Sequence, residues 1–69
     1  MKPLDTEIKA LTGKITHHIH RPYRSEENRS RNNIQLAEEA KRILSMPARE
    51  ASEDVWNELS DLAQSAGLI

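Results

Sequence analysis

The stretch HRPYRSEENRSRNNIQLAEEAKRIL, residues 20–44, decides how the chain divides. Pro22 disfavours helix at Arg21, so the stretch opens on a break. Ser25, followed by Glu26 and Glu27, has the form of an N-cap with acidic residues at the positive end of a helix dipole. The turns after it, ENRSRNN, offer no apolar face, so a start at Asn32 or Asn33 fits equally well. From Ile34 onward the pattern is clear. Leu36, Ala37, Ala40, Ile43 and Leu44 fall on one side of a helix, and Glu38 stands four residues ahead of Arg42 for a favourable pair. Met46 precedes Pro47, which stops the helix there. The expectation is a helix from 26 or 33 to 46, behind a basic connector over 20–32 that can be flexible.

Upstream, Leu4, Ile8, Leu11, Ile15 and Ile19 recur at helical spacing and predict a helix over about 4–19. Gly13 lies inside it, where glycine costs about 1 kcal/mol relative to alanine. A short strand at KITHHIH is the weaker option, because its alternation extends no further. Downstream, Ser52 is placed to cap a third helix over 52–67, with Glu53 and Asp54 in its first turn. Val55, Leu59, Leu62, Ala66 and Ile69 form its stripe, Trp56 and Ala63 broaden it, and Gly67 is placed to end it. The fold class expected is all-α, a small three-helix domain completed by homodimerisation.

Composition bounds the rest. A chain of 69 residues forms a single domain with a small core, here built from Ile and Leu with one Trp, one Tyr and no Phe. Such a core gives only a few kcal/mol of net stability, and no disulfide or structural metal motif supplements it, so association is the expected supplement. The absence of Cys removes zinc-ribbon, iron–sulfur, thiol-nucleophile and disulfide-scaffold readings and fits a reducing cytoplasm. The opening MKPLDTEIK has no apolar signal region, and no run approaches a membrane span, so the expectation is a soluble cytoplasmic protein without a membrane partner.

Net charge is −1, but its distribution is uneven. Lys14, Arg21, Arg24, Arg29 and Arg31 stand against Glu26 and Glu27 in the middle, while Glu50, Glu53, Asp54, Glu58 and Asp61 close the chain with no Lys or Arg among them. Opposed patches of this kind bear on association rather than on fold.

Three constellations could carry chemistry. In HHIH, His17 and His20 stand three apart on one helical face, a spacing able to place two imidazoles on a metal; without Cys or a His-Glu-x-x-His pattern this is a weak alternative. A pH-sensitive contact fits the cluster better, since these are the only side chains expected to titrate near neutrality. His18 is placed near the core edge. For catalysis, no nucleophile elbow, glycine-rich phosphate loop or paired-carboxylate cleft is present, and neither an enzyme nor a cofactor is expected.

The arginine segment combines phosphate-pairing forks at Arg21, Arg24, Arg29 and Arg31 with a stacking ring at Tyr23 and the amides of Asn28, Asn32 and Asn33. With a helix from Ser25, Arg24, Asn28, Arg31 and Gln35 would make a polar ridge able to enter a major groove. Glu26 and Glu27 inside the patch, and an acidic final helix, weigh against nucleic acid. On that helix Asp54, Glu58 and Asp61 form a stripe that is either a solvated back or a strip for a basic partner groove, with Trp56 as an anchor. The heptads of a basic-region zipper and the alternating strand of a ribbon-helix-helix protein are both missing.

The function expected is that of a small non-enzymatic regulatory or inhibitory protein that binds another protein and is itself a homodimer. In size and make-up it is comparable to accessory inhibitors and antitoxins of bacteria and phages. The partner-binding residues expected are Arg21, Tyr23, Arg24, Arg29, Arg31, Trp56, Glu58 and Asp61. The alternative is a nucleic-acid-binding regulator working through the Arg-rich segment 21–33.

Overall fold

A computed structural model describes residues 2–69 as three helices: α1 over Asp5–His20, α2 over Glu26–Leu44 and α3 over Glu53–Ser65, with a single 3-10 turn at Ala48–Glu50 ahead of α3. No strand occurs among the described residues, so KITHHIH is helix.

In α1 the core line runs through Leu4, Ile8, Leu11 and Ile15, all at 6% exposure or less. It continues at His18, not at the expected Ile19, which is 45% exposed. Spacings of four, three, four and three keep residues 4, 8, 11, 15 and 18 on one line, whereas a further step of four drifts off it. Gly13 is exposed on the continuous helix.

Of the two starts left open for α2, the chain uses the earlier. The Ser25 Oγ accepts the Asn28 backbone N–H at 3.2 Å, and Glu26 and Glu27 occupy the first turn. These residues supply what an apolar face does not: a satisfied amide, acids at the positive end of the dipole, and ion pairs from Glu26 to Arg29 and from Glu27 to Arg31. The connector is therefore residues 21–25, and residue 20 and residues 26–32 of the expected 20–32 linker are helical. Leu36, Ala40 and Ile43 are buried beneath partly covered Ala37 and Leu44. Arg42 does not take up Glu38; it reaches across to Glu7 of α1 at 3.3 Å.

α3 buries Val55, Leu59 and Ala63, with Trp56, Leu62 and Ala66 partly covered. Gly67 adopts φ +72°, a left-handed conformation that lets its own N–H reach the Gln64 carbonyl and the Leu68 N–H reach that of Ala63. The turn drives Leu68 into the core at 3% exposure and leaves Ile69, expected on the stripe, 48% exposed.

α1 is the central element. It packs chiefly on α3, less on α2, and α2 and α3 touch least. Cross-links from Glu7 to Arg42, Lys14 to Glu39 and His18 to Asn33 show α1 and α2 running antiparallel. At the opposite end from the connector, α1 is latched to the segment before α3. The Leu4 N–H donates to the Glu50 carbonyl at 3.0 Å and the Lys2 Nζ donates to the Arg49 carbonyl at 3.1 Å. The Asp5 carboxylate accepts the Ser52 N–H at 2.8 Å and the Ser52 hydroxyl at 2.6 Å. Ser52 thus stands at the start of α3, but its hydroxyl serves Asp5 instead of capping its own helix. No helix among the described residues is long and apolar enough to cross a membrane.

Candidate interaction surfaces

The basic segment spans the connector and the first turns of α2, and its members differ in what they are free to do. The Arg21 guanidinium lies over the Tyr23 ring, 4.8 Å from its centroid. Arg24 is exposed and has no side-chain partner among the described residues. Arg29 donates to Glu26 through Nε at 3.2 and 3.3 Å and through Nη2 at 2.7 Å. That pairing holds the Glu26 carboxyl below its ordinary range and raises the Arg29 guanidinium above its own. Arg31 pairs with Glu27 at 3.3 Å. Arg29 and Arg31 are two residues apart, about 200° around the helix, so they look to opposite sides. The structure brings Arg21 and Tyr23 together; it does not gather the four arginines into one patch.

Tyr23 is engaged a second time. The Asn32 Nδ2 donates to its hydroxyl at 2.6 Å, and that hydroxyl lies 2.5 Å from His18 Nδ1. The other ring nitrogen of His18, Nε2, lies 3.1 Å from Asn33 Oδ1. The His18 and Tyr23 rings meet edge to face at 5.3 Å. This part-buried polar joint was not read from the residues as a unit. The signal for it was the four-three-four-three line that ends on His18, a polar residue in a core position and hence one that needs partners.

His17 is exposed and lines an open groove of about 290 Å³ with Lys14, Asn32, Gln35 and Glu39. His20 is exposed, and its Nδ1 hydrogen-bonds the Thr16 carbonyl at 2.9 Å. The pair gains no third ligand: among the described residues no set of three His, Cys, Asp or Glu side chains is placed to hold a metal.

On α3, Asp54, Glu58 and Asp61 are exposed along one flank. Trp56 is half-buried on the opposite flank, since two residues separate it from Glu58 by about 200°. Its exposed edge borders a hollow of about 380 Å³ shared with Lys2, Arg49, Glu53 and Asn57. The expected adjacency of Trp56 to the acidic stripe is therefore corrected: they are two surfaces. A third hollow, of about 410 Å³, lies where α3 stops short of α2 and is lined by Glu26, Arg29, Ser30, Asn33, Ile34 and Ala66.

No family model, curated protein or solved structure matches this chain.

The ion pairs add a contrast among these surfaces. Lys14–Glu39, Arg29–Glu26, Arg31–Glu27 and Arg42–Glu7 all lie on α1 and α2. Among the described residues none involves α3, whose Glu53, Asp54, Glu58 and Asp61 make no ion pair.

Proposed function

We propose that this chain is a small regulatory or inhibitory binding protein that works without catalysis, engaging a basic face of a protein partner through Asp54, Glu58 and Asp61 of α3. The observation that supports this is the unpaired charge of that flank: three exposed carboxylates in line, none in an ion pair among the described residues, with no cation anywhere in residues 50–69. Such a face raises encounter rates with a positive surface and repels nucleic acid. Partly covered Leu62 lies one turn beyond Glu58 on the same flank and offers apolar contact at its border.

The test passes tagged chain and its Asp54→Lys, Glu58→Lys, Asp61→Lys triple variant through a lysate of the native host, scoring retained polypeptides and nuclease-sensitive absorbance. One stoichiometric polypeptide that survives nuclease and is lost from the variant supports the reading. No retained polypeptide, or one held equally by the variant, overturns it.

A second reading, nucleic-acid regulation through the connector, draws support from Arg21 and Arg24, neither of which has an acidic partner among the described residues. It requires bound nucleic acid that leaves steeply as salt rises. Self-association into a homodimer belongs to the same proposal. The motive for it is the exposure of Ile19, Ile34 and Ile69 at 45%, 59% and 48% on a chain with so small a core.

A further inference from the structure

His18 sits at 8% exposure where the last turn of α1, the connector and α2 meet, and both of its ring nitrogens are committed. Asn33 offers Oδ1, which can only accept, so Nε2 carries a hydrogen and donates. In the neutral ring Nδ1 is then the acceptor, and the Tyr23 hydroxyl donates to it while accepting from Asn32 Nδ2. The chain of donors runs one way, from Asn32 through Tyr23 and His18 to Asn33, and every member is satisfied. It fastens the connector, because Tyr23 is half-buried while the other residues of segment 21–25 are exposed.

We propose that this joint is a pH-operated clasp: the neutral His18 ring holds Tyr23 and the connector against α1 and α2, and the protonated ring releases them. Protonation places a hydrogen on Nδ1. The Tyr23 oxygen must then accept from both sides, and its own hydrogen loses its acceptor. Nothing nearby compensates the new charge. On α1, Lys14 precedes the ring by about one turn and His17 is its immediate neighbour in sequence, and on the connector Arg21 and Arg24 add two more cations. On α2, Glu26 is held by Arg29, Glu27 by Arg31 and Glu39 by Lys14. In the last turn of α3 and the tail after it, residues 62–69 carry no ionisable side chain. A buried charge without a carboxylate partner is costly, and letting Tyr23 go admits water to the ring. Release of Tyr23 also frees Arg21 from the ring on which it rests, so the clasp controls how the connector presents its arginines.

Tyr23 is the single tyrosine and Trp56 the single tryptophan, so the two ends can be followed separately. The experiment records the Tyr23 ring resonances of the full chain from pH 8 to pH 5, with the Trp56 indole signal and far-UV helicity alongside. The expected result is a move of Tyr23 from a docked to a solvent-exposed position while Trp56 and most helicity stay constant. The ratio of released to docked connector rises by at most about tenfold for each unit by which pH falls, the limit for one proton. His18→Gln abolishes the response, and the double variant His17→Gln with His20→Gln keeps it. A Tyr23 signal that is flat in the wild type, a response that survives in His18→Gln, or one that disappears in the double variant overturns the proposal. The wild-type titration and the double variant decide it even where His18→Gln does not fold.

Discussion

A carboxylate in the first turn of a helix usually answers the helix dipole from the solvent side, yet Asp5 is 3% exposed and accepts from Ser52 twice and from the Lys2 N–H at 3.2 Å. Those bonds, the Ser52 hydroxyl first, hold its carboxyl at about 2, below an ordinary 3.8. The folded chain therefore keeps Asp5 ionised where the unfolded chain protonates it, and the native state binds fewer protons. The resulting stability is complete above the unfolded value and is lost as pH falls from about 4 toward 2. Asp5→Asn should be less stable than wild type at neutral pH, and urea titrations at successive pH values should show the gap closing toward pH 2. A gap unchanged across that range would remove the latch from the account. Neither Asp5 nor His18 could be given its role from the residues alone. The partner of Asp5 lies 47 positions away and those of His18 lie 5 and 15 away, across a helix break or on another helix, and only the packed fold brings them into reach.

At the scale of single helices the pattern was far more readable, because each helix is specified by neighbours three and four apart. The Ser25 cap, the stop at Pro47 and the Gly67 turn were all visible as local chemistry. The earlier start of α2 was ambiguous because its first turns carry no core residue and are held by a cap and two surface pairs, each of which contributes little. Removing the cap with Ser25→Ala should cost about 1 kcal/mol and fray residues 26–30, read as lost helicity and faster amide exchange confined to that end. In α1, a methyl group added at Gly13 meets nothing within 4 Å. Gly13→Ala should stabilise the protein by about 0.5–1 kcal/mol in thermal or urea unfolding. A destabilised variant would mean that this exposed face is covered in solution.

The molecule as a whole measures 38 × 18 × 17 Å with a radius of gyration of 12.2 Å, against about 11 Å for a compact chain of this length. Its surface of 4750 Å² likewise exceeds the roughly 4400 Å² usual for a monomer of 7.9 kDa. α2, at 19 residues against 13 in α3, leaves its first turns, residues 26–31, exposed. If two copies cover that end, sedimentation equilibrium should find a dimer in the wild type. Ile34→Glu, at a site 59% exposed and outside the core, should shift it to monomer with helicity intact. A monomer in both would leave the homodimer without support. Charge asymmetry between the middle and the end of the chain was legible from the start. That Arg29 and Arg31 are occupied by their own helix, and that Trp56 turns away from Glu58, was not, since both depend on angle around a helix as much as on position along it.

The order in which the helices are made has a consequence for biogenesis. The main packing partner of α1, made before the other two, is α3, the last of the three, and the contact that joins their starts closes a loop of 47 residues. Loop closure of that span must precede the contacts that reward it. Until the ribosome has delivered residues 52–65, the apolar line of α1 has only the smaller cover of α2. A nascent chain halted before that point displays Ile8, Leu11 and Ile15 to whatever chaperone or neighbouring chain is at hand.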